Sequence, residues 1–232
     1  MIKSFSIVFF SLFVCTASAQ INELGITVGA SNTIGDIGST QYVNPTDVGF
    51  GLQYRWNRSP RHSWRVNYTY IPVSGDDKKS DMPFRKERGL AFENKLHELA
   101  LGLEFNFFEF DLHNEWFAFT PYVYTGVAGF SYKDSYFNSK NQHITLEGSE
   151  YALAIPISVG VKALMNKRLV VSAEVGFRYT FMDNIDGNDP VLRNTSIQKF
   201  GNINSNDWYV FTGLSLTYTF GKNPCYCLPI NN

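Results

Sequence analysis

The chain has 232 residues, with 20 Lys+Arg against 21 Asp+Glu and a formal net charge of −1. It has no basic excess to neutralise phosphates, which excludes an electrostatically driven nucleic-acid binder. Aromatics make up 16% of the chain, apolar residues 44% and charged residues only 18%, which excludes wholesale disorder and fits a sheet protein with lipid on one face.

Residues 1–19 read as a cleaved secretory signal: Lys3 gives a positive start, Phe5–Val14 an apolar run, and Ala17-Ser18-Ala19 a small-residue cleavage site before Gln20. A lipoprotein signal ending at Cys15 would need small residues before the cysteine, and Phe13 and Val14 are large. Only Cys225 and Cys227 then remain, which is no disulfide framework. The best later candidate for a spanning helix, Tyr151–Met165, contains Pro156, Gly160 and Lys162 and is shorter than the ~20 residues required.

Period two runs through the rest of the chain. Leu24, Ile26, Val28 and Ala30 alternate with Glu23, Gly25, Thr27 and Gly29. Val48–Asn57, Trp64–Tyr70 and Glu98–Phe107 alternate in the same way. Phe117–Tyr132 is apolar on both parities, so its faces cannot be assigned. Tyr151–Lys162, Leu169–Thr180 and Trp208–Phe220 complete eight segments. Most suit a tilted membrane strand of ~9–11 residues. Trp56, Trp64, Phe107, Trp208 and Phe220 near segment ends form candidate interface girdles. A soluble barrel or sandwich would expose many Lys and Glu, whereas the polar parity here is mostly Gly, Ser, Thr and Asn.

Connections alternate in length. They are short near Asn57–Arg61, Glu109–Trp116 and Met165–Arg168, and long near Ser31–Asp47, Val73–Lys95, Lys133–Glu150 and Met182–Asp207. The expected fold is therefore all-β: an eight-stranded antiparallel transmembrane β-barrel of the outer-membrane type over residues 20–221. Both ends would lie in the periplasm, and 222–232 would be a short periplasmic tail.

Arg55, Arg65, Glu98, Glu104, Lys162, Glu174 and Arg178 share the inward parity. Unpaired charges in a narrow lumen are costly, so these seven are expected to pair and plug a barrel that eight strands leave just filled. Catalytic chemistry finds little support. His97 and Glu98 are strand neighbours on opposite faces, His62 and His113 fall at short turns, and His143 lies in a long loop. No nucleophile elbow, P-loop or zincin spacing occurs. Asp183–Asp189 is rich in oxygen ligands but lacks the spaced terminal Glu of a calcium loop, so a solvated turn is expected. Arg85-Lys86-Glu87-Arg88 could meet lipopolysaccharide phosphates or a partner, with a solvated loop the plainer reading. Cys225-x-Cys227 could form a strained disulfide, an intermolecular bond or part of a metal site. A redox-locked tail is the favoured of these. No cofactor, catalytic residue or small-molecule substrate is expected, and outer-membrane lipids are the general surroundings.

Several stretches resemble a family of small Bacteroidetes outer-membrane barrels that includes the type IX secretion system protein PorG. Among them are Ile34-Gly35-Asp36-Ile37-Gly38, Tyr42-Val43-Asn44-Pro45, Tyr54-Arg55-Trp56-Asn57, Arg85-Lys86-Glu87-Arg88-Gly89, Gly102-Leu103-Glu104-Phe105, Asn206-Asp207-Trp208-Tyr209 and the close Pro224-Cys225-Tyr226-Cys227. The resemblance implies an accessory, non-enzymatic component of the type IX secretion and gliding machinery. It further implies association with the periplasmic ring of PorK and PorN through the short turns and the tail. The competing expectations are a surface barrel that binds ligands through its long loops and a lipid-modifying enzyme.

Overall fold

The computed structural model describes residues 21–112, 117–138, 140–187 and 206–221. The expected signal at 1–19, His113, and the tail with Cys225 and Cys227 lie outside the described residues. In chain order the strands are β1 (Ile21–Ile34), β2 (Asp47–Asn57), β3 (His62–Asp76), β4 (Ala91–Asn106), β5 (Phe119–Tyr132), β6 (Ser135–Phe137), β7 (His143–Thr145), β8 (Glu150–Asn166), β9 (Leu169–Thr180) and β10 (Trp208–Phe220). A 3-10 turn (Asp77–Lys79) and one short α-helix, α1 (Pro83–Arg88), lie between β3 and β4.

Eight of these strands close into an antiparallel barrel of order β1-β10-β9-β8-β5-β4-β3-β2, and β6 and β7 form a separate hairpin. The seam runs in continuous register from Asn22 opposite Phe220 to Ile34 opposite Trp208. Closure leaves no open edge, as a sheet in hydrocarbon requires. Alternation then sorts the side chains inside out. Leu24, Phe50, Leu101, Leu153 and Leu214 are exposed on the outer face, whereas Glu23, Arg55, Glu98, Glu104 and Lys162 are buried inside. A water-soluble protein has no use for such a continuous apolar exterior; a bilayer does. The chain is a transmembrane β-barrel of the outer-membrane type.

The fifth segment acquires its faces here. Tyr122, Tyr124, Ala128, Phe130 and Tyr132 point inward and are buried, while Phe119 and Val127 point outward. The sequence is ambiguous because the lumen takes aromatics on this strand, so both parities are apolar.

All four long connections lie at one end of the barrel, and each lends a buried apolar residue to a shared cap. Ile37, Leu90, Phe137 and Ile185 pack with Phe92, Phe130, Tyr209 and Phe211 in one buried cluster. The basic run on α1 fastens this cap. Arg85 donates to Gly38 O (3.0 Å) and Gly35 O (3.1 Å). Arg88 donates to Asp36 O (2.7 Å) and to both carboxylate oxygens of the buried Asp77 (2.7 and 3.0 Å). Asp77 in turn accepts from the Gly38 and Leu90 amides. Gly89, at φ +66°, ends α1 in the left-handed region that turns the chain back toward β4. The run expected to be solvated is so only in part: Lys86 and Glu87 are exposed, whereas Arg85 and Arg88 turn toward the cap because its loop carbonyls and a buried carboxylate need donors. Arg88→Ala is therefore expected to loosen the cap by about 2 kcal/mol. Limited proteolysis checks this, with faster cleavage between β3 and β4 and an unchanged folded barrel band.

The opposite end, which carries both chain termini of the barrel, is closed separately. The β4–β5 connection folds inward, and Phe110 and Leu112 pack on Leu164 and Val170. Phe110 is fixed by its amide, which donates to Pro60 O (3.1 Å). This connection is longer than its expected span of 109–116, because β4 ends at Asn106 and β5 begins at Phe119.

Candidate functional site: the charge-locked lumen

All seven inward charges stand inside the barrel, in two clusters. In the larger, Glu104 is central. It accepts from Arg55 Nε (2.9 Å), Arg65 Nη1 (3.1 Å) and Lys162 Nζ (2.6 Å). Arg65 also grips Glu174 with two nitrogens (2.6 and 3.0 Å), and the Tyr122 hydroxyl donates to the same carboxylate (2.9 Å). A fork-on-fork guanidinium–carboxylate pair fixes orientation as well as distance. Arg65 lies 3.7 Å from the centroid of the Tyr124 ring, and Lys162 lies 4.9 Å from that of Phe110, the residue that closes the turn end. The smaller cluster lies toward the loop end. Arg178 donates to Glu98 (3.2 and 3.4 Å), and the Tyr209 hydroxyl donates to Glu98 (2.7 Å).

Glu23 is the member that sequence reasoning missed. Its carboxylate accepts from Arg55 Nη1 (3.0 Å), Asn57 Nδ2 (2.9 Å) and Thr217 Oγ1 (2.7 Å). It stands directly opposite Arg55 across β1 and β2. The signal for it was charge balance. The seven expected residues hold four cations and three carboxylates, and Glu23 makes the buried set neutral. With their amide oxygens turned toward the guanidinium groups, Gln53 accepts from Arg55 and Asn67 from Arg65. The short Ser172–Ser215 hydroxyl contact borders the same cluster, since Arg55 Nη2 donates to Ser172 (3.4 Å).

This arrangement can hold eight strands in one register. Each carboxylate in it is engaged by at least one cation. The described histidines are elsewhere. His97 faces outward, where its Nδ1 meets the Tyr68 hydroxyl at 2.9 Å, away from the inward Glu98. His62 is exposed at the start of β3, and His143 packs against Phe137 in the β6–β7 hairpin. Among the described residues no cluster of His, Cys, Asp or Glu has metal-holding geometry.

The acidic stretch after β9 departs from its expectation as a solvated turn. Asn184, Ile185 and Asp186 are buried. Asp186 accepts from the Asp36 amide (3.0 Å), Asp207 accepts from the Ile185 amide (2.9 Å), and Asn184 bonds Asp134. This stretch is a strap across the loop cap; Asn188 and Asp189 lie outside the described residues. Burial first, then the neighbouring carboxylates of Asp186, Asp183 and Asp36, push Asp207 well above the usual carboxylate range, against the lowering effect of the Ile185 amide. A raised folded-state pKa means that the folded strap favours the protonated acid. Its stabilisation is complete below the ordinary Asp range and fades as pH rises through the raised value. Protection of the Ile185 amide from hydrogen exchange, corrected for intrinsic rate, is thus expected to fall as pH increases over that window. Asp207→Asn is expected to flatten the dependence.

Three solved structures illustrate the likeness to known barrels. The Yersinia pestis attachment invasion locus protein Ail, in a complex with the heparin analogue sucrose octasulfate, shares 12% identity at a TM-score of 0.47, over 87% of this chain and 99% of that one. Neisserial surface protein A shares 11% at 0.45, over 86% and 97%. The N-terminal β-barrel domain of Pseudomonas aeruginosa OprF shares 13% at 0.44, over 87% and 99%. No curated protein matches the sequence. A family model described as "Domain of unknown function (DUF6089)" spans residues 2–229, and the chain belongs to that family.

Proposed function

We propose that this protein is a non-enzymatic, non-conducting outer-membrane barrel that anchors an envelope machine through its rims. The observation that carries this reading is the filled lumen: a neutral set of buried ion pairs between an apolar cap and an apolar turn-end plug. Buried ion pairs between two apolar clusters argue against a solute path or an internal substrate site among the described residues, and so favour the two ends as the working surfaces. The machine we propose is the type IX secretion and gliding apparatus. The turn end and the tail would face the periplasm and meet the PorK–PorN ring. The order of motifs from Ile34-Gly35-Asp36 to Pro224-Cys225-Tyr226-Cys227 supports that choice. Affinity purification of tagged protein from detergent-solubilised outer membranes tests it. The ring proteins are expected to co-elute and to be lost on truncation after Gly221. A barrel that elutes alone, while the ring is recovered intact by its own tag, would overturn the assignment.

A second reading is favoured by the loop cap itself. Cross-braced loops leave Tyr42 and Phe84 exposed, as a surface that binds ligands would. Loop deletions that abolish the phenotype, with tail truncation silent, would select it.

A further inference from the structure

An open cavity of about 630 Å³ lies at the loop end, between the outer tips of β3 and β4 and the β6–β7 hairpin. Three lysines line it: Lys79, Lys95 and Lys133. Among the described residues none of the three is in an ion pair. Lys95 and Lys133 are set side by side, because Asn94 clasps the backbone of Lys133 through both its amide and its carbonyl (3.1 and 2.9 Å). Asp76 and Glu93 share the wall and suit sugar hydroxyls as acceptors.

The height of the cavity on the barrel decides what it can meet. Lys95 stands on the outward row of β4, followed by His97, Leu99 and Leu101. His97 packs on Tyr70 and bonds Tyr68, an outward aromatic cluster of the kind that marks a membrane boundary. Leu99 and Leu101 below it face lipid. The lysines therefore sit just above the hydrocarbon, at headgroup level, where a lysine near anionic lipid contributes about 1 kcal/mol.

We infer that this cavity binds the phosphorylated sugar headgroup of an outer-leaflet lipid. The lysines take the phosphates, and the carboxylates of Asp76 and Glu93 take the sugar hydroxyls, while Asn94 is spent on holding Lys133 in place. The inference rests on the membrane reading and on the loop end facing outward.

The test is native mass spectrometry of the full-length barrel, released from nanodiscs that contain diphosphoryl lipid A in phosphatidylcholine. The wild-type protein is expected to retain lipid A adducts. The double variant Lys95→Gln/Lys133→Gln is expected to weaken retention roughly thirtyfold, while Lys140→Gln, on the β6–β7 turn, leaves it unchanged. Equal retention by the wild type and the double variant, or equal retention of phosphatidylcholine, would overturn the inference. Displacement of lipid A by millimolar inorganic phosphate would instead show a free-anion site and reject the lipid. A barrel that does not enter nanodiscs at all would reject the membrane reading itself, a separate failure.

Discussion

Glu104→Ala should cripple the barrel. Glu104 and Lys162 are both fully buried, and Glu104 is the only ion-pair partner of Lys162 among the described residues. Arg55 keeps Glu23, and Arg65 keeps Glu174. Removing the carboxylate thus leaves one buried ammonium group without its ion-pair partner. Breaking one side of a buried pair costs about 3–5 kcal/mol, because the remaining charge is still desolvated. Urea unfolding in lipid vesicles, followed by the gel mobility of the folded band, should show a midpoint far below wild type. The double variant Glu104→Leu/Lys162→Met removes both charges and should recover much of the loss. The exposed Arg61–Glu109 pair (3.4 Å) at the turn end is the contrast, and Arg61→Ala should shift the midpoint by under about 1 kcal/mol. A wild-type midpoint for Glu104→Ala would show that the network contributes nothing to stability.

The second large effect belongs to Gly126→Val. Gly126 and Gly102 face each other across β5 and β4. A Cβ at Gly126 would lie 2.1 Å from Leu101 O, and one at Gly102 would lie 2.2 Å from Thr125 O and 2.7 Å from the Tyr124 ring. Both obstacles include backbone, which cannot swing away. The tight spacing is what lets Tyr124 fold across the lumen and meet Arg65. A branched side chain must push the two strands apart or displace that ring, at a cost of about 3 kcal/mol or more. The expected result is a reduced yield of folded barrel in refolding assays. Val127→Ala, on the lipid-facing row of the same strand, should fold normally.

Much of this architecture was legible because period two survives wherever lipid lies on one side and small polar residues on the other. β1, β2, β4 and β8 show it plainly. It fails on β5, where Tyr122, Tyr124 and Phe130 face inward to serve buried charges and the loop cap. Glu23 escaped notice because its partner is set by strand register, and a single sequence does not display register. The loop cap was illegible for a related reason. Ile37, Leu90, Phe137 and Ile185 are apolar residues in long connections, and periodicity says nothing about four such residues that meet only once the barrel closes. Arg85 and Arg88 read as solvated because the carbonyls they satisfy belong to another loop. The tail cysteines drew attention by composition alone and lie outside the described residues.

The proposed function turns on a lumen that is filled along its whole length. Planar-bilayer recording of the purified, refolded protein tests this most directly. Insertion without sustained conductance steps is the expected result, over the full range of salt and voltage that the bilayer tolerates. Stable, repeated opening steps from the wild-type barrel would contradict the sealed lumen and, with it, the assignment of function to the two rims.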